Sequence, residues 1–165
     1  MGKKLRRLNR AFLDAVVLKN KDGVRDSLTA GADVNARDGE HDEAATVLAA
    51  KFGDGDIVQL LIDNGADVDG RDDKGRTALF FAPVGSQTFE RLLAAGADIH
   101  AKDHEGNTIL IQKVFESASL AEVEELLRLG IEPGVRNKAG ESAMDVAVGL
   151  GLVQIVERLK SSPAG

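Results

Sequence analysis

The chain has 165 residues, enough for one compact domain or one short repeat array. Its 43% apolar residues can build a core, and its 27 Asp and Glu against 21 Lys and Arg make it a poor candidate for nucleic-acid binding. The absence of Cys excludes disulfides, thiolate metal sites and cysteine nucleophiles.

The first predicted element is a helix with a basic start: Lys3, Lys4, Arg6, Arg7 and Arg10. This imitates the beginning of a signal peptide. However, Asp14 interrupts the apolar run Ala11–Leu18, and no small-x-small cleavage site follows before Lys19-Asn20-Lys21-Asp22. The cluster reads as the solvated face of a helix, with nuclear or nucleic-acid targeting as the alternative. Beyond the first ten residues the chain carries a net charge of -11. No stretch reaches the ~18–20 apolar residues that span a bilayer. Arg6 stands where a myristoylation start needs Ser or Thr.

The segment Gly31-Ala32-Asp33-Val34-Asn35-Ala36-Arg37-Asp38 recurs along the chain. Its copies are Gly65-Ala66-Asp67-Val68-Asp69-Gly70-Arg71-Asp72, Gly96-Ala97-Asp98-Ile99-His100-Ala101-Lys102-Asp103 and the worn Gly130-Ile131-Glu132-Pro133-Gly134-Val135-Arg136-Asn137. A period of just over thirty residues is the mark of a solenoid. Ahead of these glycines stand Val58, Leu61 and Ile62, then Phe89, Leu92 and Leu93, then Val123, Leu126 and Leu127, with Val156 and Leu159 in the last copy. The i, i+3, i+4 spacing places each trio on one helix face. The following glycine suits a left-handed C-terminal cap.

A further helix follows each turn. Thr77, Thr108 and Ser142 are placed to cap these helices. In the second copy Ala44 stands where the capping hydroxyl belongs, and Asp42 is the expected substitute. Pro83 falls late in the first helix of the third copy, which is also two residues short. Proline removes a backbone donor and disfavours helix at the residue before it, so an irregular link is expected over Val84–Thr88.

These copies resemble the ankyrin repeat, whose unit is D-x-x-G-x-T-P-L-H-x-A-A, a second helix, and G-A-D-V-N-A. The resemblance implies an all-α ankyrin-repeat solenoid with projecting β-hairpin-like turns. It implies a single domain of about five helix-turn-helix repeats, over roughly 5–37, 38–71, 72–102, 103–136 and 137–160, with a short disordered tail at 161–165. No copy keeps T-P-L-H. The proline place holds Ala45, Ala78, Ile109 and Ala143, and the histidine place holds Val47, Phe80, Ile111 and Asp145.

The resemblance also implies a protein-binding function through a concave face and the turn tips. Carried over by position, that surface comprises Arg37, Glu40, Glu43, Lys51, Phe52, Arg71, Asp73, Lys74, Arg76 and Val84. It continues with Lys102, His104, Glu105, Asn107, Phe115, Glu116, Arg136, Lys138 and Glu141. Charges at turn tips also serve solubility alone, and Phe52 and Phe115 read equally as exposed anchors or as core. Phe80 and Phe81 read as packed between repeats. The expected partner is a protein, basic where it meets this acidic chain, with an enzyme or toxin held by a dedicated inhibitor or immunity protein as the specific form. The alternative is a recruiting subunit or secreted effector that engages a host or cellular protein. A cytoplasmic monomer is expected, with no nucleic acid, membrane or cofactor involved.

No enzyme chemistry is expected. His100 and His104 are four apart, but they fall in a predicted turn where that spacing does not aim them together. The acidic stretch Asp67–Asp73 fails the EF-hand pattern at Arg71 and Ala78. No phosphate-cradling G-x-x-x-x-G-K-[ST] loop is present, and no Ser stands in a pattern with His and a carboxylate.

Overall fold

The structure, a computed structural model, describes residues 2–52 and 54–161. The tail expected at 161–165 therefore lies outside the described residues, apart from Ser161. The described residues form ten helices: α1 (Gly2–Val17), α2 (Lys21–Thr29), α3 (Ala45–Lys51), α4 (Gly55–Asp63), α5 (Ala78–Phe81), α6 (Gln87–Ala94), α7 (Ile109–Phe115), α8 (Leu120–Arg128), α9 (Ala143–Gly149) and α10 (Val153–Lys160). Among them there is no strand, only three isolated antiparallel bridges: Arg37 with Ala44, Arg71 with Thr77, and Lys102 with Thr108.

The chain divides into two compact units, Met1–Ala97 and Asp98–Gly165. In the first unit the odd-numbered helices α1, α3 and α5 pack in one row and α2, α4 and α6 in another. Phe12, Val16, Val24, Val47, Ile57, Leu61, Leu79, Phe89 and Leu92 fill the space between them. In the second unit α7 packs on α9 and α8 on α10. Their core is Ile109, Leu110, Ile111, Val114, Val123, Leu126, Ala147, Ile155 and Leu159. The apolar trios read from the sequence thus supply buried residues in both units.

Each second helix ends as its glycine demands. Gly65 adopts φ 80°, and the amide of Ala66 reaches back to the carbonyl of Leu61 at 3.0 Å. Gly96 adopts φ 89°, with Ala97 N to Leu92 O at 3.0 Å. The chain then turns on an Asp or Asn. Asp72 Oδ1 accepts the amides of Lys74 and Arg76, and Asp103 Oδ1 those of Glu105 and Asn107. Asp38 does the same for His41 and Glu43, and Asn137 for Glu141. Each side chain thereby satisfies backbone donors that a tight turn would leave open.

Two expected caps are absent. Asp42 does not cap α3, which starts at Ala44 with no side-chain cap. Asp42 sits at φ 48° and binds Arg37, so its carboxylate is turned to the preceding turn rather than to the helix. Thr77 does not cap α5 either. The amide of Phe80, which its hydroxyl would bind, instead bonds the Thr77 backbone carbonyl at 3.1 Å. Thr77 Oγ1 is left buried with no hydrogen-bond partner among the described residues. Thr108 and Ser142 do cap, accepting the amides of Ile111 and Asp145.

Pro83 accounts for the third first-helix. α5 is four residues long, against seven in α3, α7 and α9. Ala82, the residue before proline, is extended at φ -64°, ψ 132°. Amides over 80–86 are therefore expected to exchange with solvent faster than those of α3 or α7. Native-state hydrogen exchange checks this, and equal protection would contradict it. Thr77→Val is expected to be neutral or stabilising, because it removes a buried unpaired hydroxyl. Thr108→Val is expected to cost about 1 kcal/mol through loss of a working cap. Urea denaturation of the two variants measures the contrast.

Candidate functional site

The candidate residues fall into two groups in each unit. One group lies on the turns that precede the first helices, and the other at those helices' C-terminal ends. A seven-residue helix separates its ends by about 10 Å.

In the first unit much of the turn charge is consumed internally. Arg37 pairs with Asp42 at 2.7 Å and also donates to the carbonyl of Arg71 at 2.7 Å, tying one turn to the next. The hydrogen bond from Arg37 holds the Asp42 carboxyl below its ordinary range. Arg71 donates to Gly75 O at 2.6 Å. Glu43 is buried, 4% exposed, and pairs with Lys51. Asp72 is enclosed and pairs with Arg76 at 2.7 Å. Both cations then lie over one ring. Arg76 is 4.5 Å and Lys51 5.3 Å from the centroid of Phe81. Glu43, Lys51, Phe81, Arg76 and Asp72 thus form one network across two repeats, so Glu43 is not a surface group. Glu40, Asp73 and Lys74 remain exposed.

At the other end of α3, Phe52 is 40% exposed. Val84 is half-buried after the shortened α5. Phe80 is buried and Phe81 half-buried, consistent with packing roles.

In the second unit Lys102, His104, Glu105 and Lys138 are exposed on the turns. Asn107 is engaged, donating to Asp103 at 3.0 Å and accepting from Asn137 at 2.9 Å. Arg136 pairs with Asp145 at 2.8 Å, and Glu141 accepts from Asn137. Phe115 is 46% exposed at the end of α7. Its neighbour Glu116 bonds Gln112 at 2.8 Å and Lys113 at 3.4 Å. A groove of about 940 Å³ opens near the end of α8, with Leu127, Ile131, Val135, Met144 and Leu159 among its lining residues.

Sequence reasoning missed several exposed apolar residues: Leu18 in the first unit and Val148, Leu150 and Val153 in the second. Alignment of the helix ends was the available signal. Leu18 precedes the capping Asn20 by two residues, as Phe52 precedes Asp54. Among the described residues no group of three His, Asp or Glu could hold a metal ion, and no helix is long and apolar enough to cross a membrane.

Burial pushes the Asp72 carboxyl up, but the hydrogen bonds from Arg76 and from the Arg76 and Lys74 amides outweigh it and leave it below the ordinary value of 3.8. A depressed folded-state pKa contributes stability that is present above the unfolded value and lost as pH falls through the folded one. Asp72→Asn is therefore expected to lose about 1–3 kcal/mol at pH 7. The gap to wild type should narrow as pH falls below 3.8. Urea denaturation at several pH values measures both.

The repeating turn-helix-loop-helix geometry has a counterpart among known families. A family model described as ankyrin repeats in three copies matches residues 12–103, more than half of the chain. No curated protein matches it. The match runs from within α1 through α6 to the turn at Asp103, and Asn137 and Ser142 repeat the turn and cap beyond it. The chain belongs to the ankyrin-repeat family, with the all-α repeat architecture and the protein-interaction role of that family.

Proposed function

We propose that this protein-interaction module acts as a dedicated inhibitor of the immunity-protein kind, holding a basic enzyme or toxin through its turn tips and exposed helix ends. One observation carries the reading. Phe is the chain's only aromatic residue type. Phe12, Phe80 and Phe89 are essentially buried, yet Phe52, the C-cap of α3, and Phe115, the last residue of α7, stand 40% and 46% exposed. Aromatic side chains left in water where first helices end are suitable anchors for a partner's pockets.

Charge supports the basic partner. The chain beyond its first ten residues carries -11, and Asp73 and Glu105 make no ion pair among the described residues. Such exposed carboxylates act mainly on association rate and are screened by salt.

The partner is obtained by cross-linking in native lysate followed by mass spectrometry. With that partner, Phe52→Ala and Phe115→Ala are each expected to weaken binding about tenfold, chiefly by faster dissociation. Glu105→Lys combined with Glu116→Lys is expected to slow association at low salt. Unchanged affinity in both phenylalanine variants, with the fold intact by circular dichroism, would overturn the anchor assignment. A recovered enzyme whose activity survives saturation with this chain would overturn the inhibitor role.

A further inference from the structure

We propose that the outer face of the last helix pair, α9 and α10, binds the same face of a second copy of this chain and closes a symmetric dimer. The inference does not depend on the inhibitor reading above, and it replaces the monomer expected from the sequence.

The same places along successive helices differ in one respect. Thr46, Leu110 and Met144 are each the second residue of α3, α7 and α9, and Ala50, Val114 and Val148 the sixth. Thr46 and Leu110 are buried, and Ala50 and Val114 are 1% and 0% exposed. Met144 is half-buried, and Val148 is 59% exposed. α5, cut short by Pro83, has no sixth residue. The second helices show the same contrast. Val58, Phe89 and Val123, which open the apolar trios of α4, α6 and α8, are fully buried. Val156, in the corresponding place of α10, is only half-buried.

Packing explains the difference. α5 lies on α3 and α6 on α4 in the first unit, and α9 lies on α7 and α10 on α8 in the second. No further helix follows α10 among the described residues. The last pair therefore presents an apolar face of the kind that, within each unit, another helix pair of this chain covers. Val153, 65% exposed, and Leu150 enlarge the apolar surface of this pair. Met144 joins it to the groove of about 940 Å³ lined by Leu127, Ile131 and Leu159.

Charge selects the occupant. Residues 146–156 include no Asp, Glu, Lys or Arg, so this face offers nothing to a basic partner. Two of the flanking charges are already paired, Asp145 with Arg136 at 2.8 Å and Arg158 with Glu124 at 3.6 Å. The first helix pair of another copy is a poor match, because its exposed side chains include Lys3, Lys4, Arg7, Arg10, Asp22 and Asp26. Repeat arrays stay soluble by ending in a polar outer face, which the first pair has and the last lacks. The α9–α10 face of a second copy does match, since both sides are then apolar. Two chains of net charge -6 also meet there over a stretch without opposed like charges. A face that meets itself closes at two copies, whereas pairing with a different face builds an open chain.

Sedimentation velocity of the full chain across a range of concentrations tests the pairing. The exposed apolar side chains are few, so the average mass should rise from one chain and level off at two, half-way at about 50 µM. Val148→Asp and Val153→Asp, both at exposed positions, should each keep the chain single up to about 200 µM. Phe52→Ala, in the other unit, should leave the association unchanged. Circular dichroism confirms that each variant is folded. Hydrogen exchange should slow on concentrating the protein, and only within 144–156. A mass that stays at one chain up to about 200 µM, or that climbs past two, overturns the proposal, as does association that survives both valine variants. If the chain stays single while Val148→Asp weakens the cross-linked partner, the face belongs to that partner and the self-pairing falls.

Discussion

A hairpin of two helices seven to nine residues long cannot bury its own apolar faces, and everything else in this protein follows from that. Val47, Ile57 and Leu61 are sealed only because helices of the adjoining repeats lie against them. Short helices also leave a large share of their backbone groups unpaired at the ends. The turns are therefore built from side chains that satisfy them. Asp38, Asp72, Asp103 and Asn137 hold the turn amides, and Thr108, Ser119 and Ser142 hold helix starts. The recurring sequence is the chemical expression of this need rather than of a shared ligand.

The same need shapes the surface. Charges at the turns look from the sequence like a free interaction face, yet many of them fasten one repeat to the next. Arg37 bonds both Asp42 and the Arg71 carbonyl, and Glu43 is buried against Lys51. In the first unit the network around Phe81 places two cations on one ring and two enclosed carboxylates behind them. Buried pairs of this kind cost desolvation and are strongly destabilising to break from one side. What the stack does not use internally is the exposed carboxylates at the tips and the apolar residues at the helix ends.

The drift from the family motif has uneven consequences. Replacing the motif's proline by Ala45 or Ala143 leaves seven-residue helices intact, because the first turn needs no proline to form. Adding Pro83 at the other end of a first helix reduces α5 to one turn, and in the same helix the Thr77 hydroxyl is left without a partner among the described residues. The third repeat nonetheless keeps its place in the first unit, because Phe89 and Leu92 of α6 are fully buried and Arg91 grips Gly55 and Asp56 of the preceding repeat.

The repeat, its register and its left-handed glycines were legible in the sequence, because each rests on local chemistry within a few residues: Gly65 and Gly96 after an apolar trio, Asp72 and Asp103 before a turn. The break at Pro83 was legible for the same reason. The failed caps at Asp42 and Thr77 were not. Each depends on a competitor, Arg37 from the preceding turn in one case and the Thr77 carbonyl itself in the other. The sequence put Phe89 in an apolar trio and Phe80 between repeats, but it could not decide Phe52 and Phe115, since each ends an apolar run beside a charged residue. Only tertiary packing, by setting which side of each short helix the next repeat covers, decided which phenylalanines face water and which charges are spent inside the stack.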